Sequence, residues 1–184
     1  MKAISLWQPW ASLIACGAKP YETRSWAPPR GLIGQTIAIH AAKKIDKDAA
    51  KMATDLMYGP YDLAERLEAS WGGDCVPDEL MGKFGHTLMP VGCIVCTARL
   101  DAAFKLGDRA EDAEVPAARI VRHIVGPQAG REHCVVPYDG LGDYAAGRWA
   151  WLLRDVRPLI PPAPAKGAQG FFELPQEWLT GAAA

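Results

Sequence analysis

Apolar and polar positions alternate through "KAISLW", which predicts a strand ending at Gln8-Pro9. The period then lengthens. In "PWASLIACG", Trp10, Leu13 and Ile14 fall at i, i+3 and i+4, the spacing of one helix face, and proline is tolerated in a first helical turn. Gly17 closes that helix as a residue able to turn the chain sharply. "YETRSW" predicts a strand with Glu22, Arg24 and Trp26 on one face and Tyr21, Thr23 and Ser25 on the other; "APPRG" breaks it. "IGQTIAIHA" predicts the next strand, with Ile37 and Ile39 facing one way and Thr36 and His40 the other. Residues 45–70 are rich in Ala, Lys, Asp, Leu and Met and read as helix, split at Gly59-Pro60. "GGDCVP" reads as a loop and "DELMGKFG" as a further short helix, so a helical insertion occupies about 45–88.

The second half is richer in strand. "VGCIVCTARL" is a nearly continuous apolar strand, and "GDRAEDAEVP" an exposed acidic loop. "ARIVRHIV" fits helix or strand equally. "GRWAWLLRDVRPL" reads as a strand carrying Trp149, Trp151 and Leu153 on one face, opposite Arg148. The tail "PPAPAKGAQGFFELP" is loop-like, and "QEWL" closes the chain as a helical turn. Strands separated by short helices, with no regular βαβ series, predict an α+β fold: a small mixed, mostly antiparallel β-barrel with short helices and the insertion, as one domain over residues 1–184.

Composition adds a bounded picture. About half of the residues are apolar, with seven tryptophans, enough for a real core. The net charge is −1, so the whole molecule has no pull towards polyanions. It is unevenly spread: +5 over residues 1–54, −7 over 55–114 and +1 over 115–184, compatible with a local anion-binding face near the N-terminus. Five scattered cysteines form no disulfide framework, no secretory signal precedes them, and no apolar run is long enough to cross a bilayer. A reduced cytoplasmic setting without membrane attachment is expected.

Most chemical motifs are absent. There is no P-loop, no G-x-G-x-x-G and no G-x-S-x-G elbow, and no cofactor is expected. Cys93 and Cys96 form a C-x-x-C, but three residues apart on a strand they point to opposite faces, so core thiols and no metal are expected. His40, at a strand end, is a candidate general base or a structural histidine. The remaining cluster is Lys19, Glu22 and Arg24. Lys offers a point charge to phosphate, Arg a planar fork, and Glu a base or a clamp for either cation. By spacing alone it reads first as an exposed Glu–Arg pair worth at most about 1 kcal/mol.

The order of motifs goes further. "SLWQPWASLI", followed by Gly17, Lys19, Glu22 and Arg24 as a G-x-K-x-x-E-x-R element, resembles the start of the ASCH family of the PUA-like superfamily. "IAIHAAK", "VGCIVCTARL", "GDYAAGRWAW" and "GAQGFFELP" continue the resemblance over nearly the whole chain, apart from the insertion and the acidic loop. The resemblance implies a PUA-like barrel and an RNA-binding cleft holding Lys19, Glu22 and Arg24. Trp7, Trp10, Trp26 and Trp149 would offer π-faces to a base, with Gln8 and Arg148 as further ligand contacts. It also implies two chemistries known among relatives. A ribonuclease would use Lys19 on the phosphorane-like charge and Glu22 or His40 for protons. An N4-acetylcytidine amidohydrolase would use a Lys–Thr–Glu set, but this chain has Glu22 where that branch has threonine, and neither Glu111 nor Glu114 matches a motif. The expected partner is RNA or a nucleotide-like ligand; a non-catalytic module that captures a protein through the insertion is the remaining alternative.

Overall fold

The computed structural model describes residues 1–45, 89–111, 113, 116–126, 135–138 and 140–175. The helical insertion expected at 45–88 lies outside the described residues from 46 on, as does the closing "QEWL" turn; residue 45 itself ends a strand. The described residues are mostly strand, in a mixed sheet with one short α-helix and one 3-10 turn at Arg30–Leu32. The elements are β1 (Lys2–Gln8), α1 (Trp10–Ala15), β2 (Tyr21–Arg24), β3 (Thr36–Ile45), β4 (Cys93–Arg109), β5 (Ala117–Val125), β6 (Val135–Pro137), β7 (Trp149–Pro164) and β8 (Phe171–Glu173). The chain divides into two compact units, with β4 and β7 running from one into the other.

The first unit is Met1–Ala18, Ile37–Ala98 and Val156–Ala184. Its strand order is β4-β3-β1-β8; β1 lies parallel to β3 and antiparallel to β8. Helix α1 packs against β1, with Ala11 to Ala15 all buried. It ends as its sequence dictates: the Gly17 N–H donates to the Ile14 carbonyl at 2.9 Å, and Gly17 takes φ +72°, a conformation natural to glycine. A core of Ala3, Ala38, Ile94 and Leu174 gathers Met1, Leu159, Ala165 and Phe172 around it. Both faces of β3 are buried, since Ile37, Ala38, Ile39 and His40 are each at most 3 % exposed. The polar face expected for His40 is therefore an interior one. Cys93 and Cys96 are buried in β4; burial pushes both thiols up, Cys93 to about 12, so neither offers a thiolate near neutrality.

The second unit is Lys19–Thr36 and Arg99–Asp155, with strand order β2-β7-β4-β5-β6. The printed pairs β2–β7, β4–β5 and β5–β6 are all antiparallel. One side of this sheet is apolar: Ala102, Phe104, Leu106, Ala118, Val136, Tyr144, Ala150 and Leu152 form its core, with Tyr21 and Ile120 packed against it. Asp101 is fully buried and stays compensated by Arg99, which bridges it to Asp155, and by Arg154 Nε at 3.4 Å.

The strand bounds correct several expectations. β4 continues through Gly107, Asp108 and Arg109, residues assigned to the acidic loop, and the ambiguous "ARIVRHIV" is the strand β5 that pairs with it. The expected loop-like tail contains the end of β7 and all of β8. The strand expected over "YETRSW" stops at Arg24, so Trp26 lies beyond it.

Candidate functional site

Glu22 and Arg24 are two residues apart on β2 and share a face by alternation. The register sets Trp151 opposite Glu22 and Trp149 opposite Arg24, so this face carries one carboxylate, one guanidinium and two indoles. Tyr21 and Thr23 face the other way, opposite Leu152 and Ala150 of the unit's core. Arg24 Nε lies 2.9 Å from one Glu22 oxygen, and Lys19 Nζ lies 3.9 Å from the other. Lys19 is 2 % exposed, an uncommon place for an ammonium. Its Nζ donates to the Tyr21 carbonyl and rests over Gly142, where an added Cβ would meet Nζ and Thr23 Oγ1 at 3.1 Å each. Gly142 thus leaves the space the lysine head occupies.

Arg148 precedes β7 and is not part of its alternation, which corrects its expected placement on that strand. It reaches β2 instead: its Nη2 donates to the Thr23 carbonyl at 3.3 Å and its Nε to the Asp143 carbonyl at 3.0 Å. The Thr23 hydroxyl accepts the Asp143 N–H at 3.2 Å, so this loop is stitched to β2 from both directions. Burial pushes the Glu22 carboxyl above its ordinary range, while Lys19, Arg24 and Arg148 pull against that shift without cancelling it. The arrangement holds a buried carboxyl with elevated proton affinity inside a ring of three cations.

The tryptophans divide by exposure. Trp151 is fully buried and Trp149 is 8 % exposed, so both are chiefly core. Trp26 is 37 % exposed; its ring meets Trp151 edge-on at 4.8 Å, and its carbonyl accepts the Trp151 Nε1–H at 3.3 Å. Sequence reasoning left Trp151 and Gly142 out of the site. Alternation with Trp149 was the available signal for the first, and nothing in the spacing points to the second.

Trp7, Gln8, Trp10 and His40 belong to the other unit. Gln8 is fully buried: its Nε2 donates to Ser12 Oγ at 2.8 Å and to the Pro90 carbonyl at 2.7 Å, and its Oε1 accepts the Ser12 N–H at 3.1 Å. It thus caps the first turn of α1 from outside the helix. Trp10 is half-buried, and Trp7 is exposed, with Lys44 Nζ 4.4 Å from its ring centroid. His40 is buried with both ring nitrogens engaged. Its Nε2 donates to the Ala165 carbonyl at 3.1 Å and its Nδ1 lies 3.1 Å from Ser5 Oγ. Burial lowers its proton affinity, against the opposing pull of the Ala165 carbonyl.

The direction of the His40 shift makes a prediction. A histidine whose folded pKa lies below 6.5 supports stability fully above that value and withdraws it as pH falls towards the folded pKa. Urea unfolding at stepped pH should show wild type losing stability below 6.5 more steeply than His40→Gln. Parallel curves would mean that His40 titrates alike in both states.

Among the described residues, no group of His, Cys, Asp or Glu side chains is placed to hold a metal ion, and no helix is long and apolar enough to cross a membrane. An ASCH domain family model matches residues 4–133, a span that holds Lys19, Glu22, Arg24 and His40 and ends before Arg148 and Trp149. A search of curated proteins finds no match.

Proposed function

This chain belongs to the ASCH domain family of the PUA-like superfamily, and on that premise we propose that it binds RNA or a nucleotide-like ligand through Lys19, Glu22 and Arg24. RNA binding is the activity that membership supports. The observation that carries the assignment to these residues is the burial of Lys19 beside Glu22. A lysine head 2 % exposed sacrifices hydration that a surface lysine would keep, and fold stability alone gives little return for such a pair. Poised beside Arg24 and Arg148, it suits a phosphate or a base edge, while the half-exposed Trp26 adds a stacking surface. The mixed sheet agrees with the barrel expected of a PUA-like domain, which we propose acts as one domain in a reducing, cytoplasmic setting.

The test is affinity for a labelled single-stranded RNA across a salt series. Arg24→Gln is expected to weaken binding and to flatten the slope of log K against log salt by about 0.7, the value for one lost phosphate contact on a single strand. Binding that ignores both salt and Arg24 would rule out an electrostatic site here.

A catalytic reading draws support from one feature, the raised proton affinity of Glu22. A carboxyl shifted towards neutrality suits proton transfer, and Lys19 beside it suits a phosphorane-like charge, the pairing a ribonuclease would need. The amidohydrolase reading has less support, because Thr23, the nearest hydroxyl on β2, lies on the face opposite Glu22. Denaturing gels of the same RNA after incubation separate the readings: fragments from wild type but not from Lys19→Met support the nuclease, and intact RNA leaves binding alone.

A further inference from the structure

The candidate site does not end at β7. Leu106 of β4 donates its N–H to the Arg148 carbonyl and accepts the Gly147 N–H, both at 2.8 Å, which fixes β4 beside the start of β7. Phe104, Leu106, Ala150 and Leu152 all point into the unit's core. Alternation therefore places Lys105 on the other side of the sheet, with Trp149 and Trp151, and the β2 register places Glu22 and Arg24 there too. Lys105 in turn stands directly opposite Arg122 of β5. From β2 to β5, one side of the sheet thus carries Arg24, the buried Trp149, Lys105 and Arg122 across three strand spacings, about 14 Å, so that three cations follow one another along it.

Two features of this row oppose stability. Like charges directly opposite on antiparallel strands repel, and among the described residues neither Lys105 nor Arg122 forms an ion pair. Beside them the register slips, leaving Val121 unpaired and 62 % exposed over Gly107, where an added Cβ would lie 2.6 Å from Val121 Cγ1. A bulge of this kind re-aims neighbouring side chains, and Arg119, Arg122 and His123 around it are all exposed. Two cations facing each other, with no carboxylate of the described residues paired to either, leave room for an external anion.

We propose that Lys105 and Arg122 form a phosphate track that carries an RNA backbone away from the Lys19–Glu22–Arg24 site. The proposal rests on the RNA-binding reading of that site. RNA is favoured over an acidic protein because the row of cations continues from the family motif, as a groove following a phosphodiester chain does.

The experiment measures binding of labelled oligouridylate by fluorescence anisotropy over a salt series, using the full chain, Lys105→Gln/Arg122→Gln and Arg24→Gln. The double variant should bind about tenfold more weakly at moderate salt, with the salt slope reduced by about 1.4, two contacts at roughly 0.7 each. Its melting temperature should hold or rise, since the substitutions remove a repulsion. An unchanged slope in the double variant, with Arg24→Gln still impaired, overturns the track and leaves the motif site standing. Absence of salt-dependent binding by wild type overturns both. Poly-glutamate competing as well as RNA at equal charge would show a face that selects any polyanion, and would also overturn the proposal.

Discussion

Replacing Glu22 by leucine is expected to lower stability by about 3–5 kcal/mol, while replacing its partner Lys19 by methionine costs less, about 1–2 kcal/mol. The asymmetry follows from what each substitution leaves behind. Without Glu22, the Lys19 ammonium stays 2 % exposed and loses the Glu22 carboxylate, and Arg24 loses the oxygen at 2.9 Å. Arg24, 28 % exposed, can turn to water, whereas the lysine head, enclosed at Gly142, cannot follow it cheaply. Without Lys19, Glu22 keeps Arg24, methionine fills a similar volume, and the main loss is the donor to the Tyr21 carbonyl. The pair is therefore non-additive: Lys19→Met in the Glu22→Leu background should recover a large part of the loss. Urea unfolding of the four proteins of this cycle checks it. Equal costs for the two single variants, or no recovery in the double, would show that the lysine does not depend on Glu22 for its charge. A Lys19→Met protein that folds normally also isolates the RNA experiments from unfolding.

The parts of this site legible in the sequence were those set by neighbours along the chain. Glu22 and Arg24 share a face because they are two apart on a strand, and Lys19 follows the turn at Gly17; both are local consequences of spacing. The partnership of Glu22 with Trp151, and of Lys105 with Arg122, depends on which strand lies beside which and in what register. No single segment encodes that. The same limit explains the long strands. By local polarity β4 would end where its charges begin, yet Arg109 remains paired with Ala118, so tertiary pairing overrides local polarity. β8 is three residues long between a glycine turn and a proline, too short for any period to register, and it is held by pairing with β1. Arg148 shows the converse. Alternation gave it a face of β7, but it sits one residue before that strand, and its hydrogen bonds to Thr23 and Asp143 determine its direction.

Gly167→Ala is expected to cost about 3 kcal/mol, through a clash that a sequence reading would not anticipate. The position needs no left-handed backbone; what it needs is space. A Cβ there would lie 2.3 Å from His40 Cε1, 2.5 Å from its Nδ1 and 2.8 Å from Ser5 Oγ. The ring has no free direction in which to yield. Ser5 and the Ala165 carbonyl hold its two nitrogens, and Phe172 meets it edge-on at 5.9 Å. Displacing it adds the strain of overpacking, about 1–3 kcal/mol, to the loss of at least one buried hydrogen bond, about 1–3 kcal/mol. For a chain of this length the melting temperature should fall by about 6–12 °C. The control is the same substitution in a His40→Ala background, where the space is open and the added alanine should cost little further. If Gly167→Ala lowers the melting temperature equally in both backgrounds, the ring is not what the glycine accommodates. If the cost disappears with the imidazole, then "GAQGFFELP" contributes Gly167 as the seat of a buried histidine, and His40 is fixed as a clip between β1, β3 and the segment before β8.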